Sequence, residues 1–179
     1  MEIKNYKLRD FLEIRGSEIE RYTNLLKYLD PTPTKHEIKD LTFREVESIK
    51  QIIRDSDSLP EVFKYMHGID EEEFLNLKVV EFYGMYNYIT KQLENLIHME
   101  ERELIPEHSD YKWEAVEGSE RLSVMGILPT IDKLAQGNIL LYEEILSLPY
   151  LTVFNRLRMD KIKGDIEHDM NKIKEPKTD

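Results

Sequence analysis

The chain is predicted to be all-α, an irregular helical bundle with two long helices, about 71–104 and 149–174, and several short ones. Three observations carry this. Apolar residues recur at helical spacing through most of the chain, and a small polar residue precedes a Glu by three positions at four places. Alternation with a period of two is missing outside short ambiguous pieces such as residues 1–7. Residues 1–174 are read as a single helical domain in which 106–118 forms a loop, and 175–179 as a disordered tail.

The four capping boxes pair Ser17 with Glu20, Thr42 with Glu45, Ser58 with Glu61 and Asp70 with Glu73. In each, the small side chain accepts from an otherwise orphaned backbone N–H while the Glu reaches back to the cap residue. After Ser17, the residues Ile19, Tyr22, Leu25, Leu26 and Leu29 form one stripe, closed near Asp30 by Pro31-Thr32-Pro33. After Thr42, a second stripe runs through Phe43, Val46, Ile49, Ile52 and Ile53 into a turn-like Asp55-Ser56-Asp57-Ser58. A short helix follows, with Pro60 in its first turn, Val62, Phe63 and Met66 on its inner face and Gly68 as C-cap.

From Glu71 the set Leu75, Val79, Phe82, Tyr83, Tyr86, Ile89, Leu93, Leu96 and Ile97 continues at the helical repeat until Pro106 ends it. Trp113, the only tryptophan, is expected to pin the following loop to the core. Short helices then span 119–125, 129–136 and, after an Asn138 cap, 139–148. Pro149 opens a last helix whose apolar face is read as Val153, Phe154, Leu157, Ile162, Ile166, Met170 and Ile173. Gly164 weakens that helix by about 1 kcal/mol relative to Ala.

Length and composition narrow the function classes. At 179 residues the chain is long enough to bury a core without a metal or disulfide staple. Cysteine is absent, which removes disulfides, thiolate metal sites, iron–sulfur clusters and cysteine nucleophiles together. No apolar run approaches the ~18 residues that span a bilayer, and the N-terminus has no signal-like apolar segment, so no membrane partner is expected. The net charge is −11 and sits mainly in the middle third, where residues 61–120 hold 5 Lys/Arg against 15 Asp/Glu. A phosphate backbone is therefore a poor partner and no nucleic acid is expected, because affinity there needs Lys and Arg clustered on one face. A solvated acidic face or a surface for a basic partner both fit it.

The search for chemistry finds no catalytic, cofactor-binding or metal-ligating residue to assign. A carboxylate-bridged di-metal bundle needs Glu-x-x-His pairs on facing helices. None of His36, His67, His98, His108 and His168 sits in one; the nearest arrangements are Glu94 with His98 and Asp165-Ile166-Glu167-His168. His-Glu-x-x-His is absent, the seven glycines are too scattered for a phosphate loop, and no Gly-x-Ser-x-Gly elbow occurs. No enzyme is therefore expected, and a metal-dependent bundle is the one enzyme class held open.

Phe82, Tyr83, Met85, Tyr86 and Tyr88 surround one helical segment on all sides. A segment apolar all round is either buried in its own core or docks a partner, and these five are the candidate partner-interface residues. Gly84 among them is read as letting a neighbouring helix approach closely.

Residues 117–157 carry Gly-Ser-Glu-Arg-Leu, Leu-Pro-Thr-Ile-Asp-Lys-Leu-Ala, a Gly-Asn turn, Tyr-Glu-Glu-Ile and Leu-Pro-Tyr in that order. This stretch resembles small helical virion-assembly proteins of tailed bacteriophages, from the tail or the portal and neck region. The resemblance implies a structural or assembly role through protein–protein contacts, with a homo-oligomer or portal, neck or tail components as partners, and it supplies no catalytic residues. The absence of cysteine and of a signal-like segment lets a cytoplasmic location be expected, and the resemblance makes this the host cytoplasm, with the virion as a further place. The alternative is a stand-alone helical binding or regulatory domain that meets a basic partner through its acidic middle third.

Overall fold

The computed structural model describes residues 5–14, 16–55, 58–108 and 111–173. Among these the chain is all-α, with no strand and only two isolated antiparallel bridges, Lys7 with Lys78 and Thr42 with Pro149. The helices are α1 (Leu8–Leu12), α2 (Ser17–Leu26), α3 (Phe43–Asp55), α4 (Leu59–His67), α5 (Glu71–Asn76), α6 (Val79–Leu104), α7 (Tyr111–Ala115), α8 (Gly118–Ser123), α9 (Leu128–Leu134), α10 (Tyr142–Ser147) and α11 (Tyr150–Ile173). Short 3-10 turns lie at Ile38–Asp40 and Ile139–Leu141. The tail 175–179, and Ser56 and Asp57 of the turn before α4, fall outside the described residues.

The chain groups into two compact units, where the sequence reading draws one domain over 1–174. The first comprises 1–41 and 45–96, the second 42–44 and 97–179.

The first unit is built on aromatic packing. Phe63 of α4 stacks on Phe82 of α6 with centroids 5.3 Å apart, and Phe74 of α5 meets both edge-on at 5.0 and 5.6 Å. Offset stacks and edge contacts let the positive ring rim meet a neighbour's negative face, worth about 0.5–1.5 kcal/mol per pair beyond area burial. Val46, Ile49, Val62, Met66 and Ile89, all fully buried, complete this core. A second cluster sets Phe11, Leu26 and Val79 against Tyr22, Leu29 and Tyr83.

Three expectations change in this unit. The helix over 71–104 is two helices, because the backbone turns extended at Leu77 before α6 starts at Val79. Neither Gly nor Pro marks the break; it is held from far away, by Leu8 N–H donating to the Leu77 carbonyl (2.8 Å) and Val79 N–H donating to the Tyr6 carbonyl (2.9 Å). Of the boxes, Asp70 and Glu73 form both reciprocal bonds. Ser58 forms none, since its backbone is left-handed (φ 49°), and Glu61 accepts from the Tyr65 hydroxyl instead. The α2 helix begins at Ser17 itself, with Gly16 as its cap at φ 79°, a region that favours glycine.

Gly84 permits a close approach, but by an extended segment and not by a helix. Thr32 N–H donates to the Gly84 carbonyl at 2.9 Å, and a Cβ at Gly84 would lie 2.5 Å from Thr32 Oγ1. One turn on, the Asn87 amide donates to the Leu29 carbonyl at 2.9 Å and reaches those of Lys27 and Leu26 at 3.3 and 3.5 Å. It thereby donates to carbonyls of the turn that follows α2.

Asn87→Leu is expected to cost about 1–3 kcal/mol, because those carbonyls lose their donor. Asn87→Asp should cost more at neutral pH, by placing a carboxylate against the negative end of α2. Chemical denaturation of the two variants checks the order, and an Asp variant as stable as the Leu variant at pH 7 would contradict it.

His67 ends α4, stacked on Phe63 at 6.2 Å, and its Nε2 is buried without a hydrogen-bond partner. Burial, aided by the charges of His36 and Lys35, holds the imidazole below its ordinary 6.5. A depressed folded value means that the stabilising contribution is complete above about pH 6.5 and is lost as the pH falls through the lowered value. His67→Phe keeps the stack and removes the titration, so its stability should fall less than that of the parent between about pH 7 and pH 5. Coincident pH profiles would show that the imidazole is not the source.

Candidate interaction surface

The five aromatic-segment residues lie in the first unit, and the structure divides them. Phe82 and Met85 are buried among the unit's own side chains, which removes them from any partner surface of the folded chain. Tyr83, Tyr86 and Tyr88 are half-buried. Tyr83 meets Phe11 edge-on and Tyr86 stacks on Phe82, and burial pushes the Tyr86 hydroxyl above its usual range.

Exposed apolar surface is concentrated elsewhere. Among the described residues, eighteen of the buried hydrophobics belong to the first unit and seven to the second. For large hydrophobics left exposed the order reverses, with three in the first unit (Leu12, Leu25 and Tyr28) and eighteen in the second. Scattered apolar side chains are normal on a surface, so what distinguishes this chain is the imbalance between its two units.

Within the second unit, Tyr150, Val153 and Phe154 of α11 form the core with Ile131, Ala135 and Ile145. The Tyr150 hydroxyl donates to Glu100 at 2.7 Å, and Phe43 N–H donates to the Leu148 carbonyl at 2.9 Å. The expected single apolar face of the last helix is corrected here. At 100° per residue, Val153, Phe154 and Leu157 share one side, while Met159, Ile162, Ile166, Met170 and Ile173 lie on the opposite one, all exposed. The apolar stripe changes sides near Leu157.

The original side continues as Lys161, Gly164, Asp165 and His168, and these line a cleft of about 540 Å³ with Pro106, His108 and Lys133. Lys161 and Asp165 in this cleft are paired. Lys161 Nζ lies 2.7 Å from Asp165 and 3.2 Å from Glu107, and the Asp165 carboxylate also accepts from the Glu107 N–H. The bond to Asp165 raises the lysine, and the same contact lowers the carboxyl. His108 stacks on His168 with centroids 4.2 Å apart, its Nε2 3.2 Å from Asp169. The arrangement latches residues 107 and 108 to α11. Nowhere among the described residues do three His, Asp or Glu side chains converge as metal ligands, and no described helix is long and apolar enough to cross a membrane.

The segment 106–118, expected as a loop, contains α7, and Trp113 does not reach the core. Its indole N–H donates to Ser119 Oγ at 3.0 Å, and its ring lies on the Cα of Gly118, where a Cβ would come within 2.3 Å. With 46% of its surface exposed, the tryptophan staples α7 to α8.

No family model, no curated protein and no solved structure matches the chain.

Gly118→Ala is expected to expel the indole from its seat. Because Trp113 is the only tryptophan, the emission of the variant should shift to longer wavelength and be quenched more readily by acrylamide. Unchanged emission would show that the ring does not rest on Gly118.

Proposed function

We propose that the chain is a structural or assembly protein that works through protein–protein contacts, with the second unit as its docking part. The observation that carries this is the reversal of apolar burial between the two units. The first unit has a well-filled core, whereas the helices of the second keep leucine, isoleucine, valine and methionine on the outside. Large apolar side chains in solvent are costly at about 25 cal/mol per Å², and association recovers that free energy.

The resemblance of residues 117–157 to virion-assembly proteins of tailed phages falls on this same unit, and it supports placing the partners in the tail, portal or neck. The acidic middle third gives less support to a basic partner, because several of its carboxylates already serve neighbours. Glu73 caps α5, Glu81 accepts from the Lys78 N–H, Glu103 pairs with Arg102 and Arg158, and Glu107 pairs with Lys161.

Sedimentation of the chain alone and mixed with portal, neck and tail proteins tests the proposal, at low and at high salt. Association that survives high salt is expected, since apolar contacts are not screened. A chain that stays monomeric and joins none of these proteins would count against the assembly role, and binding abolished by moderate salt would favour an acidic patch instead.

A further inference from the structure

We propose that the outer face of α11, from Met159 to Ile173, is the contact with a second copy of this chain, the two helices lying antiparallel about a two-fold axis near Ile166. The inference rests on the reading of the second unit as the docking part and names one of its contacts. The face is made of Met159, Ile162, Ile166, Met170 and Ile173, all exposed, with Ile166 at 53% and Ile173 at 81%. Their spacings of three, four, four and three residues read the same from either end. An antiparallel copy therefore meets the stripe in register, with Met159 opposite Ile173, Ile162 opposite Met170, and Ile166 on itself. Met159 to Met170 is one eleven-residue step, a repeat that winds only slightly right-handed, so two such helices lie side by side over about 21 Å.

Charge selects a second antiparallel copy as the occupant. Along α11 the basic residues Arg156, Arg158, Lys161 and Lys163 come first, interrupted by Asp160, and the acidic residues Asp165, Glu167 and Asp169 follow, interrupted by Lys172, which an antiparallel copy sets opposite Asp160. A parallel pair would set like charge against like; the antiparallel pair sets each basic half against an acidic half. Most of these groups already have partners within the chain, as in Arg156 with Asp160, Arg158 with Glu103 and Lys161 with Asp165. Lys163 and Glu167 flank the stripe on the same side, and the two-fold axis between them brings Lys163 of each copy to Glu167 of the other. An isologous contact of this kind closes on itself as a dimer.

The absence of cysteine provides the test. Ile166→Cys introduces the only thiol, and it lies on the proposed axis. Under mild oxidation this variant should form a disulfide-linked dimer, while Met159→Cys alone should not. A mixture of Met159→Cys and Ile173→Cys chains should cross-link to each other. In sedimentation of the chain over about 1–100 μM, a monomer–dimer equilibrium is expected, in the range usual for a small interface. Ile166→Asp should weaken it roughly a hundredfold or more, by placing two facing carboxylates at the axis. Reversing one charge, Lys163→Glu or Glu167→Lys, should weaken dimerisation roughly tenfold, and the double reversal should restore it. Ile166 is a surface residue, so far-UV circular dichroism and Trp113 emission should be unchanged in every variant.

The proposal is overturned if the parent chain stays monomeric throughout, if Ile166→Asp dimerises like the parent, or if Met159→Cys self-links as readily as Ile166→Cys. A chain that is monomeric alone yet joins virion proteins would overturn this contact while leaving the assembly role standing.

Discussion

The structure depends on a choice of helix face. α6 turns Phe82, Met85, Ile89 and Leu93 inward onto the rings of α4 and α5, and every other segment of the first unit is placed by what that helix offers next. Gly84 leaves room for the Pro-Thr-Pro strap, Asn87 supplies the donor that closes α2, and the Gln92 side chain accepts from Ile38 N–H at 2.9 Å to start the turn before α3. Three successive turns of one helix thus set the course of three separate stretches of chain. These polar contacts fix register, whereas the buried aromatic and aliphatic side chains together supply the apolar core.

The second unit obeys the same packing rules but does not complete them. Its core is small, its helices are mostly of five to seven residues, and a 24-residue helix is only partly covered by them. Short helices hold little stability of their own and depend on tertiary contact. The unit is accordingly stitched by polar links as well as apolar ones: the staple of Trp113 on Ser119, the Tyr142 hydroxyl donating to Asp132, and the latch of Glu107 and His108 on α11. A unit built this way keeps its shape while leaving apolar side chains on its surface, a combination that suits the docking role proposed for it.

Much of the fold was legible in the residues. Helical spacing, Pro31, Gly68, Pro106 and Pro149 located most elements, because these signals act within a turn of the chain and need no tertiary context. What escaped was long-range. The interruption at Leu77 is imposed by residues about seventy positions earlier, and the failed box at Ser58 follows from a left-handed backbone that its side chain does not announce. The aromatic segment around Tyr83 was recognisable as apolar on all sides, but periodicity alone does not distinguish a core from a docking face. The change of side along α11 was different in kind. The five-residue step from Leu157 to Ile162 shifts the stripe by about 140°, and that was present in the spacing all along.

The tie between the N-terminal segment and the start of α6 has a consequence for how the chain folds. On the ribosome, residues 6–8 emerge before the partners they bond, since residues 77–79 are made about seventy residues later. Until then the apolar periodicity that continues through 71–104 favours one unbroken helix, so the break is a late event that waits on contacts distant along the chain. Residues 6–8 act as the last clasp of the first unit, although they are made well before the helix start they hold.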